Sequence, residues 1–236
     1  MNKVIITSNL IEKLKQVFDK KLVSVILYGS CAGDECENEF SDINIIVVID
    51  NLLAIDLKNA NSALKDFMKT KNPLPLFMDK EEWFDSCDVY PIEYSDIKDR
   101  YRILHGEDIV KPLILEKTNL RLQCEHETKN LLIKLRQNYL AKSNDLKSIE
   151  SLLKTTSKSF FALFRAILRL TENEVSFNHK DAINSLAEKV KMDKDVFLKL
   201  LDLRTNSRAI LKAEYEITIQ KLIDSTNEIL KYIDKM

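Results

Sequence analysis

The distribution of glycine and proline is the feature that most limits how this chain can fold. All three glycines and all four prolines lie within the first 112 residues, and the rest of the 236-residue chain contains neither. Since both residues are unfavourable inside helices, the second part can form long ones. Charge changes at the same place: residues 1–112 contain 20 acidic and 14 basic side chains, and residues 113–236 contain 17 and 22. We predict an acidic α/β domain over 1–112 and a basic all-α domain over 113–236.

Composition narrows the class of protein. A hydrophobic fraction of 45% excludes wholesale disorder. The longest uncharged apolar run, Leu22 to Gly29, is too short to cross a bilayer, and the first residues contain no apolar segment of signal-peptide length. The four cysteines form no Cys-x-x-Cys pair and the three histidines lie far apart, so no zinc spacing is present. We therefore expect a cytoplasmic protein that does not interact with membranes.

The first domain is predicted to combine helices with short strands. Leu10, Leu14 and Phe18 recur at helical spacing behind Ser8, a candidate N-cap. Apolar runs predict buried strands over 22–28 and 43–49, a helix over 53–70, and further strands over 74–78 and 90–94, followed by a polar stretch to Gly106. These elements predict a mixed β-sheet flanked by helices.

The second domain is predicted to be an all-α helical bundle. Its helices are expected over 116–141, 145–170, 179–191, 193–203 and 207–234. The second of these is apolar nearly all round and is expected at the centre of the bundle. The apolar residues of the last helix could also extend an interface in a homodimer: Ile210, Leu211, Ile217, Ile219, Leu222, Ile223, Ile229 and Leu230.

One segment of the first domain carries residues suited to phosphate and metal chemistry. A buried strand runs into Gly29 and Ser30, where the missing Cβ lets the backbone approach a ligand. After a loop, Ser41 and Asp42 precede a second strand that contains Asn44. The two-residue period of a strand places the Asp42 and Asn44 side chains on one face. A carboxylate beside such a turn is what Mg²⁺ needs when it is shared with a triphosphate.

This arrangement resembles the nucleotidyltransferase superfamily, which includes DNA polymerase beta and the aminoglycoside nucleotidyltransferases. The signature of that superfamily is an apolar strand, Gly-Ser, a loop, and Asp-x-Asp opening a second strand. Further segments are similar to a bacterial branch with a kanamycin-nucleotidyltransferase-like helical second domain: residues 89–97, 104–108, 120–127 and 135–139. The resemblance covers most of the chain, although its motif core is only a few residues.

The resemblance implies Mg²⁺-dependent transfer of a nucleoside monophosphate from an NTP to a hydroxyl-bearing acceptor. Gly29, Ser30 and Ser41 would bind the nucleotide, and Asp42 and Asn44 would hold the metal. Asp42, Asn44 and a third acid, taken as Glu93, would form the catalytic set. The nucleotide is expected in a cleft between the two domains.

The sequence departs from the family pattern in three ways. Asn44 offers a neutral oxygen where the pattern has a carboxylate. No acid lies within the predicted strand at 74–78, which leaves Asp79, more typical of an N-cap, or Glu93, which could equally be the solvent side of a strand. No Lys or Arg lies between Lys21 and Lys58, a stretch with seven acids. Positive charge would have to come from a metal or the second domain, where candidates are Arg121, Lys129, Arg136, Lys158, Arg165 and Arg169.

Those departures keep other functions open. The chain could be a degenerate nucleotidyltransferase fold that binds a nucleotide or a protein partner, or an interaction module of a larger assembly. The spacing of Arg102 and His105, and of Arg169 and His179, does not match the Arg-His motif of HEPN ribonucleases, so that activity is rejected. A net charge of −1 without a basic, aromatic-rich stripe argues against nucleic acid as a partner. The sequence does not identify the acceptor.

Overall fold

The computed structural model describes residues 3–33, 42–143, 145–172, 174–204, 206 and 210–236. The chain divides into two compact units, Met1–Leu115 and Glu116–Met236. The first is α/β with a mixed sheet and the second is helical, so the predicted fold class is confirmed. Ser41 and Cys36, together with four of the seven acids counted above, lie outside the described residues.

Within the described residues of the first unit, four strands form a sheet in the spatial order β3-β2-β1-β4. They are β1 (Leu22–Tyr28), β2 (Asn44–Ile49), β3 (Leu76–Asp79) and β4 (Tyr101–Gly106). β1 runs antiparallel to both β2 and β4, whereas β2 and β3 are parallel. The central strands β1 and β2 are buried on both faces, which accounts for their nearly continuous apolar sequences.

Helices cover both faces of this sheet. They are α1 (Lys3–Phe18), α2 (Ala54–Leu64), α3 (Lys80–Asp85) and α4 (Pro91–Asp99). One face, here called the α1 face, packs through Leu27, Ile45 and other side chains against α1 and α2. The opposite face, here called the α4 face, packs through Ile26, Ile46 and Val48 against Trp83, Tyr94 and Ile97 of α3 and α4.

Two of the predicted elements of this unit were wrong. Residues 90–94 are not a strand, because Pro91 occupies the first turn of α4, where its missing N–H costs nothing. The fourth strand is instead β4, within the stretch taken as polar; its side chains are only partly buried, so its apolar alternation is weak.

The helix boundaries of the first unit also differ from the prediction. Ser8 is not an N-cap, since α1 begins at Lys3. The helix predicted over 53–70 consists of α2 and a separate 3₁₀ turn, Phe67–Lys69. The alternative reading of Asp79 as an N-cap is confirmed: its carboxylate accepts from the backbone N–H of Glu81 at 2.8 Å at the start of α3.

Five helices make up the described part of the second unit: α5 (Lys117–Lys142), α6 (Leu146–Thr171), α7 (His179–Lys189), α8 (Lys194–Leu203) and α9 (Tyr215–Ile233). α6 contacts the other four, as its all-round apolar sequence predicted. Its Phe160 and Phe164 rings both meet Phe197 of α8 edge-on, with centroids 5.0 and 4.9 Å apart. None of the helices in the described ranges is long and apolar enough to span a membrane.

α9 differs from the helix predicted over 207–234. It begins at Tyr215, after a 3₁₀ turn at Lys212–Glu214, and residues 207–209 lie outside the described part of the chain. Several apolar side chains proposed for an interface are instead buried inside this unit: Ile210, Ile219, Leu222 and Ile229. Leu211 and Ile217 are exposed, and a homodimer stays a prediction.

Candidate functional site

The end of β1 is a turn whose backbone requires glycine. Gly29 has φ +76°, a left-handed conformation that residues with a Cβ adopt at a cost. Its backbone N–H donates to the carbonyl oxygen of Arg100 at 3.1 Å, and a 3₁₀ turn follows over Gly29–Ala32. Because this N–H already donates to Arg100, Gly29 does not provide a hydrogen-bond donor for a ligand. Its missing Cβ instead lets a ligand approach the backbone closely. Ser30 is half-buried within the same turn.

The pairing of β1 with β2 brings Asn44 to this turn. Asn44 lies directly opposite Tyr28 in the antiparallel register. A Cβ built on Gly29 would lie 3.4 Å from the Asn44 Nδ2 atom, which is ordinary van der Waals contact. Two residues that were predicted to act together, Gly29 and Asn44, are therefore neighbours at one end of the sheet.

Asp42 lies just before β2 and is exposed. The intervening Ile43 is buried in the core on the α1 face, so the alternation of the chain directs Asp42 and Asn44 toward the α4 face. The backbone N–H of Ile43 donates to Oδ1 of Asn72 at 2.9 Å, and the Asn72 amide in turn donates to Oγ1 of Thr70 at 3.0 Å. Asn72 thus holds the entry to β2 in place, a role that no motif in the sequence indicates.

The two candidates for a third acid occupy different environments. The Asp79 carboxylate has a structural role. It also accepts a hydrogen bond from the backbone N–H of Leu52 at 2.9 Å, and the hydrogen bonds from Leu52 and Glu81 lower the pKa of Asp79. Glu93 is exposed, and it lies on α4 rather than on a strand. There it lines an open cleft on the α4 face of the sheet, as does Tyr28, the strand partner of Asn44.

This cleft, here called the α4 cleft, has a volume of about 540 Å³. Apolar and aromatic side chains of β1, β2, β3, α3 and α4 form most of its wall, among them Ile46, Met78, Trp83 and Tyr94. Burial raises the pKa of the phenol of Tyr28, another wall residue. The volume is in the range of small-molecule sites.

The donor set at the end of β1 and β2 suits one hard cation rather than two. Among the residues that the structure describes, no three His, Cys, Asp or Glu side chains are grouped so that they could hold a metal ion. What the site offers is the Asp42 carboxylate and the Asn44 amide oxygen. Mg²⁺ is commonly bound by one or two protein oxygens while phosphates and water complete its shell, so this set fits a cation shared with a nucleotide.

A cation that the sequence search missed lies beside the turn. A Cβ built on Gly33 would lie 2.8 Å from Nε of Arg100, so the Arg100 guanidinium packs against the end of the Gly29–Gly33 segment. The nearby sequence contains no basic residue, but the chain brings Arg100 back from the junction of α4 and β4.

Several basic candidates of the second unit are engaged within that unit. Arg121 and Lys129 both pair with Glu125, the former at 3.1 Å. The Arg165 guanidinium donates to the carbonyl oxygen of Phe161 at 3.3 Å and lies 5.7 Å from the Phe177 ring centroid. These contacts reduce the charge that these three side chains could offer to a ligand.

The fold just described, a mixed sheet flanked by helices and followed by a helical unit, also occurs in a protein of known structure. The chain is similar to spectinomycin adenyltransferase AAD(9) from Enterococcus faecialis, whose crystal structure was determined with ATP and spectinomycin. The TM-score is 0.59 at 14% sequence identity, and the match covers 96% of this chain and 100% of that one. No family model matches the sequence, and no curated protein matches it. At this identity the similarity shows the fold.

Proposed function

We propose that this chain is a Mg²⁺-dependent nucleotidyltransferase that moves a nucleoside monophosphate from an NTP to a hydroxyl group of a small molecule or protein. The observation that carries the proposal is the β1–β2 pairing, which brings Gly29 and Ser30 to the same end of the sheet as Asp42 and Asn44. The shared fold with an adenyltransferase whose structure was determined with ATP supports it.

Each residue of the proposed site has a distinct task. Gly29 and Ser30, together with Ser41, bind the triphosphate, and the absent Cβ of Gly29 leaves room for a phosphate oxygen near the backbone. Asp42 and Asn44 hold Mg²⁺, which when bound neutralises phosphate charge and orients the leaving group. The Arg100 guanidinium beside Gly33 adds positive charge at the far end of the turn.

The reaction would be an in-line displacement. The acceptor hydroxyl oxygen forms a bond to the α-phosphorus, the bond from that phosphorus to the oxygen bridging the β-phosphate breaks, and pyrophosphate leaves. Glu93, which lines the α4 cleft, is the proposed third catalytic carboxylate and takes the hydroxyl proton. A carboxylate within reach of the attacking group typically contributes about 10²–10⁴-fold to such a rate.

A second candidate is nucleotide binding without transfer. It is favoured by Asn44, which contributes an amide where catalysis by two cations needs a carboxylate, and by the lack of a three-acid cluster among the described residues. Under this alternative the site would retain NTP affinity and release no pyrophosphate.

Calorimetric titration of the four NTPs, with and without Mg²⁺, tests the site itself. We expect one NTP to bind with micromolar affinity, about −8 kcal/mol, only when Mg²⁺ is present. Asp42→Ala should lower that affinity at least about tenfold, because the Asp42 carboxylate is the charged ligand of the proposed site. Asp50→Ala is the matched control: Asp50 is exposed and directly follows the opposite end of β2. Equal affinities in wild type and Asp42→Ala would refute the assignment.

Asn44→Asp separates transfer from binding alone. The substitution supplies a second carboxylate on the same face as Asp42, so Mg²⁺-dependent NTP affinity should rise. Pyrophosphate release, measured with wild type, Asn44→Asp and Glu93→Gln over a panel of hydroxyl acceptors, then reports catalysis. Release by wild type that falls in Glu93→Gln supports the transferase, whereas NTP binding without release in wild type supports the binding module.

A further inference from the structure

The α4 cleft combines an aromatic interior with an acidic rim. The indole ring of Trp83 and the phenol ring of Tyr94 lie 4.7 Å apart between centroids, and both line the cleft. Three carboxylates are also among its lining residues: Glu82 on α3, and Glu93 and Asp96 on α4. Of the described residues that line the cleft, none is a lysine, arginine or histidine.

The aromatic wall of the cleft is held rigidly by buried hydrogen bonds. The Trp83 indole N–H donates to the carbonyl oxygen of Ile109 at 3.1 Å, and the Tyr94 hydroxyl donates to the carbonyl oxygen of Trp83 at 2.7 Å. Both side chains are buried, so ordering them on ligand binding costs little conformational entropy. These two rings form a rigid floor beneath the cleft, and the apolar side chains that a ligand can contact include those of Leu76, Phe77 and Tyr90.

These features together select one chemical class of ligand. An apolar body of drug size would fill the apolar part of the cleft, while a positive charge would be attracted to the carboxylates. A free triphosphate or another anion would be repelled by the same carboxylates. A highly hydroxylated ligand would leave many of its polar groups against the apolar wall, which disfavours it.

We propose that the α4 cleft binds an amphipathic organic cation, a compound with a flat apolar body and a protonated amine. Its role as the acceptor that receives the nucleotide rests on the proposed function, because the cleft also contains Glu93 and lies on the face toward which Asn44 points. Binding of the cation itself requires neither nucleotide nor transfer.

Three compounds with one skeleton and different charges test the proposal. They are 2-amino-1-phenylethanol, 1-phenyl-1,2-ethanediol and mandelate, which are cationic, neutral and anionic at pH 7 and each carry a hydroxyl. Trp83 is the single tryptophan of the chain and lines the cleft, so its fluorescence reports binding there. We expect the amine to bind up to about fivefold tighter than the diol, since that factor is the upper end of what one partly exposed ion pair supplies, and mandelate to bind weakest.

Two matched variants assign the selectivity to the cleft. Asp96→Asn removes a lining carboxylate, and it should reduce the preference for the amine over the diol. Asp99→Asn changes an exposed acid on the same helix that does not line the cleft, so the preference should persist. Equal binding of the three compounds, no binding of the amine to folded protein, or an equal loss of preference in both variants would overturn the proposal.

The same titrations distinguish this proposal from the proposed function. The amine can bind in the absence of NTP, so selective binding with no pyrophosphate release would leave the cleft assignment intact and refute only its role as an acceptor site. If the protein binds NTP only with Mg²⁺ but binds the three compounds with equal affinity, the proposed nucleotide site is supported and the proposed cation site is refuted.

Discussion

Two glycines share a left-handed backbone conformation but differ in the space around them, and this difference predicts unequal effects of the same substitution. Gly29 and Gly106 have φ values of +76° and +83°. A Cβ on Gly29 would lie 3.4 Å from the nearest side-chain atom, whereas a Cβ on Gly106 would lie 2.0 Å from the backbone oxygen of Val23. Gly29→Ala therefore introduces backbone strain alone, and Gly106→Ala adds a collision with β1.

The magnitudes follow from those contacts. The left-handed conformation costs an L-residue about 1–2 kcal/mol, which is the expected loss for Gly29→Ala. In Gly106→Ala the edge of β4 must move away from β1, which would break the hydrogen bond from the Glu107 N–H to the Val23 oxygen, 3.0 Å long. A backbone collision of this kind should lower the free energy of unfolding by about 4 kcal/mol or more.

Urea unfolding followed by tryptophan fluorescence measures these losses in the first unit alone, because Trp83 lies there. With a slope of about 2 kcal/mol/M, Gly29→Ala should lower the midpoint by about 0.5–1 M, and Gly106→Ala should lower it far more. Gly33→Ala is the control, since the three described atoms nearest to its Cβ all belong to the flexible Arg100 side chain and its φ is not positive. A loss in Gly106→Ala no larger than that in Gly29→Ala would refute the reasoning.

Three further substitutions test other parts of the structure. Hydrogen bonds from backbone N–H groups, with that from Leu52 having the largest effect, lower the pKa of the Asp79 carboxyl below 3.8, so its charge stabilises the fold above that pH. The urea midpoint of Asp79→Asn should therefore be lower than that of wild type at pH 7, and this difference should disappear as the pH falls below 3.8. Asn72→Ala removes the partner of the Ile43 N–H and should cost about 1 kcal/mol, measured by fluorescence, with weaker NTP binding by calorimetry. Phe197→Ala empties a fully buried site and should cost about 3–5 kcal/mol, measured by far-UV circular dichroism because the single tryptophan lies in the other unit.

The elements that the sequence predicted well are those whose burial is uniform. β1 and β2 are buried on both faces, so their apolar runs are unbroken and end at residues that stop a strand. α6 likewise contacts the other four helices of its unit, and none of its residues from Phe160 to Leu170 is exposed. In such elements local sequence and tertiary environment indicate the same structure.

The assignments that failed lie where burial is partial. The tyrosine-rich alternation of residues 90–94 predicted a strand. Pro91 instead begins α4, and the buried residues of this helix include Ile92, Tyr94, Ser95 and Ile97. Within the described residues β4 lies at the edge of the sheet beside β1 and its side chains are only partly buried, so its sequence has no clear period. The error moved Glu93 from a predicted strand to a helix, which changed its surroundings from a sheet surface to the wall of a cleft.

The charge at the candidate site shows why a local search misses contributions from distant residues. The sequence between Lys21 and Lys58 has no lysine or arginine, so the local sequence predicts that positive charge at the Gly29 turn comes from a metal or the second domain. Arg100 reaches Gly33 because β4 pairs antiparallel with β1, which sets Tyr101 opposite Tyr28 and brings Arg100 to the end of β1. The sequence prediction of a polar stretch before Gly106 does not include this pairing. The same strand assignment thus determines both the sheet order and the electrostatics of the turn.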